Sequence, residues 1–510
     1  MRFRLTGLAF VLAISCGAPA AGAEPGKIGF LVQAMAGRDA AAIVDFYRRR
    51  NFAPAWTSED AAILIATLGR AADEGLEPGN YLPVSGTGTD GRDIGLTRAA
   101  LDYLRDVREG RPFLRSLDPD VALPENSHDA VTELGDAIQS HSLAAYLRSA
   151  PPPGAQYGRL RSALADYRAI QRRGGWPALS PDGLLKGDGE AMTRLRERLA
   201  FEDPALATDA DIDPALKRFQ ARHGLEPDGK PGPLTLAALN VTADARVRQI
   251  HANMERWRWL PRRFEADYLA VNIPDENLSL VLGGREVLTS RVVVGKPDTP
   301  TPILRAEGGS LTVNPPWNIP QSIARKEILP KLKANRFYLQ SQDMILLNGP
   351  EGDPYGLHVR WREIPPDHSP YLIQQHPGAK NPLGAIKLEL PNRFDVYLHD
   401  TPAKGAFSRP GRAVSHGCVR VERILPLASY ALTRDLAAMK EIADAISSGE
   451  TRHLPLRRRL PVYFLYWTAF AAKDGALQFR ADLYGRDRRM AAAVSLPIAA
   501  RSDYPNCSRG

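Results

Sequence analysis

Val396-Tyr397-Leu398-His399-Asp400-Thr401-Pro402, followed by Ala413-Val414-Ser415-His416-Gly417-Cys418-Val419-Arg420, sets a histidine nineteen residues before a cysteine. Apolar and polar residues alternate up to the histidine. This predicts a strand from Phe394 to Leu398 that forms a hairpin with Ala385 to Leu390 around Pro391-Asn392. A loop can then bring the cysteine back to the end of that strand. A thiol at neutral pH is only a few per cent thiolate, so a nucleophilic cysteine needs a nearby base or a positive local field. His399 is the candidate base, and His416 and Arg420 can add positive potential. A helix is expected from about Glu422 to Leu432, with Cys418 close before its N-terminus, where exposed N–H dipoles favour a thiolate. The same arrangement lets the Gly417 and Cys418 backbone N–H groups face a developing oxyanion. Glycine at 417 permits the tight path such a hole needs.

Further upstream the period is again two: Leu269 to Ile273, Leu278 to Leu282, a Gly283-Gly284 turn, and Val287 to Val294 read as neighbouring strands of a β-rich domain. Between the two strand groups, residues 318–376 hold a helix from Ser322 to Leu332 and a run rich in Gly, Pro and His. They read as an insertion, serving either as a lid or as decoration. Before the strands, Asp244 to Trp259 carries Ile250, Met254 and Trp257 at helical spacing, and Pro261 closes it. Earlier still come three short helices, Met192 to Leu199, Pro214 to Gln220 and Leu234 to Leu239. Gly224 is placed as a C-cap, and Asp228-Gly229-Lys230-Pro231-Gly232-Pro233 forms a turn. The first part of the chain is mainly helical, over Gly37 to Leu82, Ala99 to Arg108 and Ala130 to Leu147, with Asn51 to Trp56 as an aromatic anchor and Pro151-Pro152-Pro153-Gly154 as a stiff break.

A chain of 510 residues exceeds one core and implies two to four domains. Arg2 and Arg4, the apolar stretch Leu5 to Ile14 and Ala21-Gly22-Ala23 make the pattern of a cleaved export signal, with Glu24 as the mature start. The apolar stretch is too short to cross a bilayer, and no later segment offers such a run. Lipid attachment at Cys16 is the alternative, although Ala13 stands where that motif prefers a large aliphatic residue. Loss of Arg2 and Arg4 takes the formal charge from +8 to +6, a mild basic excess that suits an anionic polymer. Nucleic acid is not an expected partner of an exported protein. The mature chain keeps two cysteines, Cys418 and Cys507, in a compartment that oxidises exposed thiols. Either they form a disulfide, or Cys418 is retained as a reactive thiol.

Ser415-His416-Gly417-Cys418-Val419-Arg420 with His399 upstream resembles the signature of the YkuD-type L,D-transpeptidase catalytic domain. Asn314-Pro315-Pro316-Trp317-Asn318-Ile319-Pro320, Gly378 to Gly384, Tyr466-Trp467-Thr468-Ala469 and Asp482 to Asp487 resemble the large multi-domain, YcbB-like branch of that family. Leu216-x-x-Phe219-Gln220, the Asp228-Gly229 turn and Thr235 to Leu239 resemble the small helical peptidoglycan-binding module, whose alternative here is a generic three-helix unit. The resemblance implies a multi-domain α+β protein. Its expected parts are a signal peptide at 1–23, a helical scaffold at 24–184, a peptidoglycan-binding module at 185–243 and a β-rich catalytic domain at 244–455 with the inserted lid. A C-terminal extension of the catalytic and scaffold region follows at 456–510.

The chemistry implied is acyl transfer through Cys418. Its thiolate attacks the carbonyl between the third residue and terminal D-alanine of a tetrapeptide stem, and a second stem's side-chain amine resolves the thioester into a 3→3 cross-link. His399 serves as acid, then base. The family's orienting carbonyl after the histidine maps to Asp400, and Ser415 and His416 shape the loop. Tyr397 is expected to flank the pocket, and Arg420 to meet a stem carboxylate. No metal or other cofactor is expected. The expected partners are peptidoglycan stems and glycan, with possible periplasmic cell-wall enzymes, and the expected location is the periplasm. Rivals are an L,D-carboxypeptidase with the same cysteine, and a non-enzymatic peptidoglycan-binding scaffold. A zinc hydrolase is disfavoured because no His-Glu-x-x-His occurs, and a serine penicillin-binding enzyme because no Ser-x-x-Lys or Lys-Thr-Gly occurs.

Overall fold

A computed structural model describes residues 27–33, 40–83, 88–126, 128–185, 188–207 and 211–494. The expected signal segment, its cleavage point, Cys16 and Cys507 lie outside them. No helix among the described residues is long and apolar enough to cross a membrane.

The chain divides into two compact units. The first, from the segments ending at Gly69, Leu104 and Leu147, is helical. Helix Ala40–Arg49 turns Ile43, Phe46 and Tyr47 inward. The Tyr47 hydroxyl donates to Asp93 at 2.6 Å, and the Asp93 carboxylate accepts from the backbone N–H groups of Ala55 and Trp56 at 3.0 and 3.1 Å. The proline-broken stretch 51–56 is thus pinned to a buried carboxylate. The expected single helix from Ala130 to Leu147 is two helices, Ala130–Gln139 and Leu143–Ser149, parted at His141, where φ is +53°.

The second unit holds the remainder, including residues 148–184, which the sequence grouped with the scaffold. The reason is packing: helix Ala155–Arg172 buries Leu160, Leu164 and Ile170 in one cluster with Val247, Ile250 and Met254 of helix Ala243–Arg258. Beside them, helices Gly189–Ala200, Asp213–Arg222 and Pro233–Leu239 close around Leu195, Leu199, Leu216, Phe219 and Leu239. Gln220, only 1% exposed, ties this module together. Its amide donates to Asp228 and to the Lys230 carbonyl, while its oxygen accepts from Gly229 N–H at 2.8 Å. A Cβ at Gly229, where φ is +75°, would fall 2.2 Å from an Asp213 oxygen, so the Asp-Gly turn requires its glycine.

The C-terminal part of this unit is built on one sheet closed on itself. Its strands are β1 (Tyr268–Asn272), β2 (Asn277–Leu282), β3 (Arg285–Gly295), β4 (Ile303–Val313), β5 (Ile386–Glu389), β6 (Leu398–His399), β7 (Ala413–Ser415), β8 (Val419–Val421) and β9 (Arg452–Leu465), with the two-residue strand Val121–Ala122 paired parallel to β4. Pairing runs β4-β9-β1-β2-β3-β8-β6-β5 and returns from β5 to β4, with β7 added alongside β3. Inward residues such as Leu280, Val292, Leu398, Val419, Val421 and Val462 fill one core. The predicted strands of residues 268–294 are present; β5 pairs antiparallel with β6, but the strand expected from Phe394 to Leu398 is only Leu398–His399, residues 394–397 being turn and loop.

Two local expectations change. The limit set at residue 455 falls inside β9, which pairs with both β1 and β4, so the boundary cuts a strand and the expected extension contributes to this sheet. The helix after the cysteine is Ile424–Thr433, and β8 intervenes. Cys418 therefore stands at the start of a strand rather than a helix N-terminus, and the expected dipole does not act on it.

Residues 318–376 fold around their own core of Ile319, Ile328, Leu332, Leu339, Met344, Trp361 and Ile373, with a three-stranded sheet of Trp317–Asn318, Ile373–Gln375 and Met344–Leu346. Their helical run spans 321–334 and widens into a π-turn at Ala324–Ile328. Pro330 explains the widening: it offers no N–H to the preceding turn and its ring crowds that turn's carbonyl.

Candidate active site

Strands β6 and β8 run parallel, with Leu398 opposite Val419 and His399 opposite Arg420. Val419 N–H donates to the Tyr397 carbonyl at 3.0 Å, which carries the pairing back to the level of Cys418. Because strand side chains alternate, Leu398, Val419 and Val421 enter the core. Tyr397, His399, Cys418 and Arg420 share the opposite face. There they line one cleft of about 1120 Å³, whose other wall is the insertion through Trp317, Ile323, Lys326 and Glu327.

Cys418 is a half-buried free thiol. The expected disulfide alternative falls on Cys507, outside the described residues. The Cys418 sulfur approaches the Asp395 carbonyl at 3.6 Å, and the hydroxyl and backbone N–H of Tyr397 lie near enough to favour its thiolate. Burial raises the thiol above its ordinary value, and the Tyr397 contacts and Lys387 pull the other way. Burial likewise raises the Tyr397 phenol, reinforced by the neighbouring cysteine.

His399 is 4% exposed. Burial, and then the Arg420 guanidinium, lower its imidazole to about 4, against the opposing pull of the Asp400 and Leu383 carbonyls. The imidazole is therefore neutral at neutral pH. Its ring lies 5.7 Å from that of Tyr397 in an edge-on arrangement. In this resting geometry Tyr397 and the Asp395 carbonyl, rather than His399, hold the sulfur.

The loop before the cysteine is tightly braced. Ser415 Oγ donates to the Cys418 carbonyl at 2.6 Å and accepts from Gly417 N–H at 3.1 Å, while Thr301 Oγ1 donates to the Gly417 carbonyl at 2.8 Å. Gly417 has φ of +115°, a region favouring glycine. Its N–H is occupied by Ser415, so the expected oxyanion role of Gly417 is not available in this state. The Asp400 carboxylate accepts from Ala385 N–H at 2.9 Å and pairs with Lys404, while His399 Nδ1 is buried without a hydrogen-bond partner. His416 is exposed and its Nε2 meets Glu327 Oε1 of the insertion at 2.5 Å. Arg420 Nε is buried without a hydrogen-bond partner, and no carboxylate among the described residues pairs with that guanidinium. No group of three or more His, Cys, Asp or Glu among the described residues is arranged to hold a metal.

Sequence reasoning missed Lys387, Glu389, Asp395 and Glu327, all of which line the cleft. For Lys387 and Glu389 a signal existed. Ile386, Leu388 and Leu390 alternate with them, which places both charges on the face away from the core.

Residues 266–454 match the family of the YkuD L,D-transpeptidase catalytic domain, 41–164 a scaffold domain, and 194–239 a "Putative peptidoglycan binding domain". A Haemophilus influenzae protein described as "Putative L,D-transpeptidase" is 32% identical over 244 residues, 48% of this chain and 49% of the relative. The match thus spans about half the length of that relative. Among solved structures, a carbamoyl enzyme formed with avibactam shares 13% identity at a TM-score of 0.20, over 41% of this chain and 51% of that one. A cysteine-to-serine mutant of the Enterococcus faecium L,D-transpeptidase shares 16% at 0.17, over 41% and 52%. Scores this low carry no weight for the fold.

Proposed function

We propose that this chain, which carries an L,D-transpeptidase catalytic domain and a peptidoglycan-binding domain, forms 3→3 peptidoglycan cross-links through a thioester on Cys418. The supporting observation is the shared face: Tyr397, His399, Cys418 and Arg420 project together into one cleft walled by the insertion.

In the first step, stem binding brings thiol and imidazole into reach, a tightening common when an apo site fills. Cys418 loses its proton to His399 as sulfur attacks the carbonyl of the third stem residue. The Cys418 N–H and the Tyr397 hydroxyl are the donors we assign to the oxyanion. The C–N bond to D-alanine breaks, and the departing amine takes the proton from His399. In the second step the acceptor amine attacks the thioester, His399 takes its proton, and the thiol is restored. Arg420 holds a stem carboxylate, which fits its buried guanidinium lacking a carboxylate partner. We place the protein outside the cytoplasm, in the periplasm, where this substrate lies.

The test is intact-protein mass after incubating wild type and Cys418→Ala with a disaccharide-tetrapeptide, with chromatography of the products. A Cys418-dependent adduct with 3→3 dimers supports the proposal. An adduct yielding only tripeptide would convert it to an L,D-carboxypeptidase, and full cross-linking by Cys418→Ala would overturn it.

A further inference from the structure

Lys387 is the register partner of His399 across β5 and β6. Its ammonium stands 4.2 Å from the centre of the Tyr397 ring and 2.7 Å from Glu389, with its side chain 20% exposed. Glu389 is itself fixed, because its other oxygen accepts from Thr312 Oγ1 at 2.8 Å. The cation is therefore clamped between a braced carboxylate and an aromatic face, at a distance where the ring quadrupole attracts it. That same ring lines the cleft beside Cys418, with its hydroxyl near enough for phenol and thiol to influence one another.

We propose that Lys387 is a positioning residue for the nucleophile: clamped over Tyr397, it holds that phenol on the sulfur and supplies the positive field that draws out the Cys418 thiolate. This rests on Cys418 being the nucleophile. The charged groups of the cleft are Lys387 and Glu389 from β5, Asp395 from the loop before β6, Arg420 from β8, Lys296 and Asp298 after β3, and Lys326 and Glu327 of the insertion, the last paired with His416, with the polar Tyr397 and His399 beside them. Asp395 opposes a thiolate. Arg420 stands against His399, where its charge also weakens the base, so its field is not spent on sulfur alone. Lys387 acts on the thiol without that cost, and its lowering effect on Cys418 agrees with this division.

The test is the rate at which iodoacetamide alkylates Cys418 at mildly alkaline pH in the full chain, followed by mass spectrometry of the Cys418 peptide. Lys387→Met should be slower by about tenfold, the fall in thiolate fraction for one unit of pKa. Lys387→Arg should restore most of the rate. A folded Lys387→Met that alkylates as fast as wild type overturns the proposal, as does an Arg variant as slow as the Met variant. Should Lys387→Met fail to fold, Lys387→Gln decides: a folded Lys387→Gln that alkylates as fast as wild type overturns it. Alkylation needs no stem peptide, so the result stands apart from the fate of the cross-linking proposal.

Discussion

The resting site should hold an uncharged pair rather than a thiolate-imidazolium. His399 is held to about 4, so at neutral pH only about one imidazole in a thousand carries a proton. The Cys418 thiol is raised above its ordinary 9.0, so at neutral pH the thiolate is below about 1%. The perturbation is pH, and the assay is thiolate ultraviolet absorbance, taken as the difference between wild type and Cys418→Ala to remove other thiols. One step centred above the ordinary thiol value is expected, with no acid-side plateau. A thiolate signal that persists from neutrality down toward His399's own value would show a preformed ion pair and refute the reasoning.

Glu255 is fully buried, with Arg258 at 2.9 Å and Arg111 at 3.1 Å. Glu255→Ala strands two buried guanidinium groups and should cost about 3–5 kcal/mol in urea unfolding; a loss under about 1 kcal/mol would contradict this. At Gly417 an added Cβ would meet nothing closer than 3.7 Å, so Gly417→Ala carries backbone strain of about 1–3 kcal/mol rather than a clash. It should slow acylation of Cys418 while thermal unfolding shows the fold retained, and an unchanged acylation rate would deny the turn its role. His223 and His251 are lowered to about 3 by burial, as His399 is to about 4. Each folded-state value lies below the unfolded 6.5, so the unfolded chain takes up protons first. Their stabilisation is complete above 6.5 and is lost as pH falls toward 4 and then 3, by about 3 kcal/mol for His399 and about 5 kcal/mol for each of His223 and His251. Urea midpoints at neutral pH and at about pH 4.5 check this, and equal midpoints would rule it out.

The sequence was legible where periodicity or chemistry is local. Tyr268 to Val294 alternates over three strands, and the spacing from His399 to Cys418 is short enough for one loop to close. What stayed hidden was long-range pairing. Strand β4 carries Gly308-Gly309 and the charges Arg305 and Glu307, and β9 contains Pro455, Pro461 and three consecutive arginines, so neither reads as a central strand. Both are held by partners far along the chain, and β9 absorbs its irregular stretch through a register shift between Pro455 and Leu460. The misplaced helix start after Cys418 has a similar cause: Val419-Arg420-Val421 is too short to announce a strand, and only pairing with β3 and β6 makes it one. Glu327 could not be connected to His416 because the chain between them crosses the whole insertion and returns through β5 and β6.

Arg420 ties substrate binding to the strength of the base. After burial it is the largest influence holding the His399 imidazole down, and its own guanidinium lacks a carboxylate partner among the described residues. If a stem carboxylate occupies it, as we propose, that positive field is largely cancelled and the imidazole becomes more basic at the moment it must accept a proton. The acid limb of kcat/KM, which reports free enzyme, should then lie near 4, and that of kcat, which reports the bound complex, should lie higher. Arg420→Met should raise the kcat/KM limb and bring the two together, because the repulsion has already gone. Coincident limbs in the wild type would sever the link, leaving Arg420 to hold the stem without tuning the base.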